Sequence, residues 1–102
     1  MIARIWTART TPAQAPRYAD HLRTRVLPKL RALAGYHGAS LLRRDVKGEA
    51  ELIVVTRWQS MEAVRAFAGD DPGTAVVEDD AAAVLTGYDT RVRHYEIVAE
   101  DA

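Results

Sequence analysis

A chain of 102 residues suits one domain, and a core of that size buries about two thirds of the unfolded surface. Fourteen basic and fourteen acidic residues cancel, and no basic block extends beyond Arg43-Arg44, so neither nucleic acid nor an anionic membrane is an expected partner. The absence of cysteine excludes disulfides, thiolate nucleophiles and thiolate metal sites, while the polar start MIARIWTART and the lack of any apolar run near ~20 residues predict a cytoplasmic protein without signal peptide or membrane span.

Ile2 to Arg9 alternates as a strand, with Ile2, Arg4, Trp6 and Ala8 on one face and Ala3, Ile5, Thr7 and Arg9 on the other. Thr11-Pro12-Ala13-Gln14 then supplies an N-cap, a proline for the first turn and a capping-box glutamine, which predicts a helix from this point. Its apolar stripe runs through Ala15, Tyr18, Ala19, Leu22, Val26, Leu30 and Leu33. Pro28 removes the backbone bond to Thr24, so a kink or restart is expected there, and Gly35 is the natural residue to end the helix. His21, beside Leu22, reads as a solvated side chain.

Tyr36 to Arg44 and Ala50 to Trp58 read as a hairpin turning at Lys47-Gly48. Partners then sum to 95, so Arg44 meets Glu51, Leu42 meets Ile53, Leu41 meets Val54 and His37 meets Trp58. Ser60 caps a helix with Met61, Val64, Phe67 and Ala68 at helical spacing. After the turn-rich Gly69 to Gly73, a third helix is expected over about Thr74 to Leu85, capped by Asp71. Its acidic run Glu78-Asp79-Asp80 reads as a solvated face, because consecutive helical positions point in different directions. Arg91 to Val98 forms the last strand. Antiparallel to the first with positions summing to 100, it pairs Ile2 with Val98, Arg4 with Glu96, Trp6 with His94 and Ala8 with Val92.

The order is an α+β, ferredoxin-like βαββαβ domain with an antiparallel four-stranded sheet and its second helix broken in two. Helices cover one face of such a sheet, yet apolar residues fall on both: Ile53 and Val55 as well as Leu52 and Val54. A homodimer with the two sheets face to face is therefore expected.

The start Met1-Ile2-Ala3-Arg4-Ile5-Trp6, the junction Trp58-Gln59-Ser60-Met61-Glu62-Ala63 with Phe67 following, and the ending Arg93-His94-Tyr95-Glu96-Ile97-Val98 resemble the antibiotic biosynthesis monooxygenase family. The resemblance covers nearly the whole chain and implies a dimeric α/β barrel with a pocket between sheet and helices in each subunit. It further implies a small cofactor-independent monooxygenase acting on an aromatic or quinol-type metabolite. A non-catalytic small-molecule-binding protein and a polyketide isomerase or cyclase are the alternatives. The haem-degrading branch of that superfamily uses an Asn, a Trp and a His where alignment places Thr7, Phe67 and about Val77, so no cofactor is expected. Phe67 also replaces the Trp of the polyketide oxygenases.

His37 beside Trp58, on the face carrying Thr56 and Val54, is the first catalytic candidate, because an imidazole with a pKa near ~6.5 can deprotonate a phenol. His94 beside Trp6 is the second constellation, with Arg4 and Glu96 along the same face. Thr7 and Arg9 enter a pocket only if their face lies under the helices. Three scattered histidines give no metal-ligand spacing, and no glycine-rich phosphate loop is present.

Overall fold

The computed structural model describes residues 1–101. Strand β1 (Ile2–Thr10) lies at the centre of an antiparallel sheet, between β3 (Glu49–Trp58) and the last stretch of chain, with β2 (Tyr36–Val46) outside β3. This is the ferredoxin-like arrangement. The last strand is interrupted: β4 (Gly87–Tyr88) pairs with β1 at Ala8 and Arg9, and β5 (Arg93–Glu96) pairs with it from Ile2 to Ile5.

The even positions of β1 and β3 face the helices. Arg4, Ala8, Thr10, Ala50, Leu52, Val54, Thr56 and Trp58 are all buried there. Thr11 opens a turn rather than the helix itself, receiving the backbone N–H of Gln14 on its hydroxyl at 3.2 Å. Helix α1 (Ala15–His21) follows, widens into a π-helical segment at Leu22–Val26, and resumes as α2 (Leu27–Arg31). The Leu27 N–H reaches the Leu22 carbonyl, five residues back, and Pro28 occupies the first turn of α2. The restart expected from Pro28 is thus present, and the missing donor is absorbed by one wide turn.

Lys47 (φ 53°) and Gly48 (φ 79°) form the hairpin turn, a pair of left-handed residues that matches strand twist. The register follows the expected sum of 95 from Val46↔Glu49 to Gly38↔Arg57, then slips by one so that Tyr36 faces Trp58. Gly38 makes the slip possible. Its φ of +139° is strained for other residues, and the Arg57 guanidinium lies where a side chain would stand. His37 is left exposed in the bulge. The expected His37–Trp58 pair is not formed.

Ser60 caps α3 (Met61–Ala68), accepting the Ala63 N–H at 3.2 Å. The helix expected from Thr74 is replaced by extended chain, and only α4 (Asp79–Ala83) is helical. The cause is distant in sequence: Thr74 bridges Arg91, Ala75 donates to the Thr90 carbonyl at 2.9 Å, and Val92 donates to Gly73 at 2.8 Å. Residues 90–92 leave β1 to make these bonds, directly after the Asp89 N–H has donated to the Thr7 carbonyl at 3.0 Å. When the chain rejoins β1, the partners sum to 98, and Arg4 meets His94 instead of Glu96. A two-residue slip keeps every side chain on its face, so alternation alone does not detect it.

Two clusters form the core. Ala8, Ala15, Tyr18, Leu22, Ala50, Leu52, Val54 and Ala81 make one; Leu30, Trp58 and Val64 make the other. The opposite sheet face is open, with Leu42 and Tyr95 each 49% exposed alongside Ile5, Ile53 and Val55.

A cavity between sheet and helices

A cavity of about 100 Å³ lies between the sheet and the helical layer. Its apolar walls are Trp6 and Val54 from the sheet, Leu22, Val26 and Leu30 from the first helical unit, Phe67 from α3, and Val76, Val77 and Val92. Four polar groups enter it: Arg4, Tyr18, His21 and Thr56. Lys29 and Glu78 stand at its more exposed side, joined by a 3.0 Å ion pair.

Arg4 is 5% exposed. Its Nη1 donates to the Pro72 carbonyl and meets His94 Nε2 at 2.9 Å, and its Nη2 donates to the Thr74 carbonyl at 2.9 Å. The guanidinium also lies 5.7 Å over the Phe67 ring. Arginine has only donors, so His94 accepts at Nε2 and carries its proton on Nδ1. Burial and the neighbouring Arg4 charge both hold His94 below the ordinary histidine pKa, and burial lowers that of Arg4.

His21 Nε2 is buried and has no hydrogen-bond partner among the described residues. Its ring stands 6.2 Å from that of Tyr18, whose hydroxyl burial pushes far above the ordinary tyrosine range. Tyr18 is also 6.1 Å from Trp6, which packs at 6.0 Å on Tyr88 and donates from Nε1 to the Asp89 carbonyl at 2.7 Å. The expectation of a solvated His21 is therefore corrected. It stands three residues after Tyr18 and immediately before Leu22, both on the buried stripe, and that spacing is the available clue.

The other sequence candidates separate by position. Trp6 and Phe67 line the cavity. His94 stands behind it, bonded to Arg4. Trp58 is fully buried, donates to Thr56 Oγ1 at 2.8 Å and stacks on Phe67 at 5.3 Å, so it backs the wall rather than entering the space. Thr7 and Arg9 lie on the open face, since the helices cover the even residues of β1, and Arg9 pairs there with Asp89 at 3.3 Å. His37 is remote from this constellation.

The profile of the family described as antibiotic biosynthesis monooxygenase matches residues 1–79. The chain belongs to that family. Solved structures of similar fold include a Bacillus cereus protein at 17% identity and a TM-score of 0.68, covering 99% of this chain and 96% of that one. The haem degrader MhuD of Mycobacterium tuberculosis, solved with two haems bound, is 29% identical with a TM-score of 0.66 and full coverage of both chains. ActVA-Orf6 of Streptomyces coelicolor, a monooxygenase solved with nanaomycin D, is 17% identical with a TM-score of 0.62, covering 99% of this chain and 88% of that one. No curated protein matches.

Likeness to a haem degrader raises the question of fit. Phe67 and Val77 present only hydrocarbon to the cavity, Thr7 is on the far side of the sheet, and His94 Nε2 is engaged by Arg4. A space of about 100 Å³ is also far smaller than a porphyrin. Thr7, Phe67, Val77 and His94 do not fit haem as arranged, and the unengaged His21 imidazole faces a space too small for a porphyrin. No group of three or more His, Asp or Glu side chains suited to a metal ion occurs among the described residues, and no helix is long and apolar enough to cross a membrane.

Proposed function

We propose that this member of the antibiotic biosynthesis monooxygenase family is a small cofactor-independent oxygenase of an aromatic or quinol-type metabolite, with His21 as its base. The observation that carries the reading is the unpartnered His21 nitrogen inside an apolar cavity walled by Trp6 and Phe67. An activated methylene carbon that loses a proton to His21 becomes an electron-rich enolate. It reduces dioxygen directly, forming a C–O bond, and the peroxide oxygen takes up a proton. Loss of the second C–H proton with cleavage of O–O then gives a ketone and water. One methylene and one dioxygen thus become one carbonyl and one water, and the substrate itself supplies all four electrons. Apolar walls favour the substrate's ring and dioxygen, and a positioned base contributes roughly 10²–10⁴-fold.

In this reading the open sheet face is covered by a second copy of the chain, as the exposed Leu42 and Tyr95 beside Ile5, Ile53 and Val55 favour. The setting is a tailoring step of antibiotic or polyketide chemistry in the cytoplasm. Oxygen uptake with a panel of hydroquinones and of single-ring ketones with an activated methylene tests the activity. Uptake above autoxidation, abolished in His21→Ala, is expected; uptake at the autoxidation rate throughout refutes it. Light scattering tests the dimer, and a monomer mass at micromolar concentration refutes that part.

A non-catalytic binding role is the second reading. It is favoured by Phe67 and Val77, which add walls but no chemistry to the cavity, and binding without oxygen uptake distinguishes it.

A further inference from the structure

The buried charge of Arg4 is not balanced. Among the described residues no carboxylate lies within 4.0 Å of it, and its acceptors are two carbonyls and a neutral imidazole. Burying an ion without a counter-charge is costly, and carbonyl acceptors offset only part of that cost. The remaining charged groups of the cavity, Lys29 and Glu78, cancel each other. The space therefore carries one net positive charge, located where Arg4 lies over Phe67. The observed bonds use three of the five guanidinium N–H groups, leaving donors for a planar two-oxygen acceptor.

We propose that Arg4 is a specificity-determining residue and that the cavity selects single-ring aromatic anions, with a carboxylate or phenolate oxygen on the guanidinium and the ring against Phe67 and Trp6. The size sets an upper limit of one ring: about 100 Å³ is smaller than the ~150 Å³ apolar cavity that accepts benzene, so part of a bound ring must extend into the opening toward Lys29 and Glu78. A purely structural Arg4 would tie the Pro72–Thr74 carbonyls to the sheet and confer no preference for charge. The proposal rests on the cavity being the ligand site, as above, but not on oxygenation.

Equilibrium titration of the wild-type protein with benzoate and benzamide at pH 7, followed by calorimetry and by tryptophan fluorescence, makes the test. The two ligands share shape and differ in charge. Benzoate, and 4-nitrophenolate at a pH where it is ionised, should bind at least about ten-fold tighter than benzamide, while acetate, with no ring, should not compete. Arg4→Met should bring benzoate and benzamide to within about two-fold of each other. If that variant fails to fold, the wild-type comparison still decides. Equal binding of benzoate and benzamide, binding of neither at millimolar concentration, or equal competition by acetate overturns the proposal. Anion selectivity without oxygen uptake refutes the oxygenase reading alone; uptake with no anion preference refutes this one alone.

Discussion

Replacing His21 by leucine should raise stability while it removes function, a combination that separates a residue retained for chemistry from one retained for packing. A buried polar atom left without a partner costs about 1–3 kcal/mol. His21 Nε2 is such an atom, although the residue as a whole is only half-buried and the cavity reaches solvent, so the lower end of that range applies. Leucine also favours helix over histidine by about 0.3 kcal/mol. The expected gain is then about 1 kcal/mol, which for a domain of this size raises Tm by about 4–8 °C. Urea unfolding at one fixed protein concentration is the assay, because dimerisation would otherwise shift the midpoint by mass action. An increased midpoint with unchanged slope, together with loss of oxygen uptake, is the expected result. A loss of about 1 kcal/mol or more would mean that the imidazole is satisfied in solution, and would remove the basis for assigning it a catalytic role.

Three further outcomes follow from the geometry. Thr56→Val keeps the shape of the side chain but strips the acceptor from the buried Trp58 Nε1, and should cost about 1–3 kcal/mol in the same unfolding assay. Gly35→Ala and Gly48→Ala both place a side chain at positive φ, costing about 1–2 kcal/mol each, but only at Gly35 would the new Cβ meet Ala63 Cβ, at 2.6 Å. Gly35→Ala should therefore be clearly the worse of the two; equal losses would contradict the close approach of α3. For His94 the folded pKa is depressed, so below the ordinary value near ~6.5 the unfolded chain binds more protons than the native one, and stability falls as pH falls through that window. His94→Gln, which keeps an acceptor for Arg4 without titrating, should flatten the pH dependence between about 7 and the folded value, and an unchanged profile would show that the pair does not form.

What is legible in the chain is local or periodic. The β2–β3 turn depends on two adjacent residues, the α3 cap on Ser60, and the helix restart on Pro28, and all three stand where short-range chemistry puts them. The face of each strand follows from alternation. Three features depend on partners far along the chain. Thr74 and Ala75 are held extended by residues 90 and 91, which no helical pattern around them could reveal. The slip that brings His94 to Arg4 leaves every face unchanged and is invisible to a period of two. The bulge at His37 rests on the conformation of Gly38, and it moves the first catalytic candidate out to solvent while leaving Tyr36, not His37, against Trp58. The position of the cavity agrees with the family resemblance, and its walls Trp6 and Phe67 are among the sequence candidates. Of its polar groups, Arg4 is named only beside His94 on the sheet and His21 only as a solvated side chain, because the burial of both is a property of the assembled layers.

The wide turn at Leu22–Val26 gives this architecture a point of adjustment. It carries one residue more than an α-helical turn of the same rise, so deleting any one of its five residues would let regular helix run through to Pro28. Such a deletion would leave α1 and α2 close to their present facing, because the wide turn already absorbs the extra residue. What it would change is the wall between them, where Leu22 and Val26 line the cavity. Cavity shape and sheet register are thus separable in this chain, since a single codon within one turn alters the first while the strands lie outside that turn.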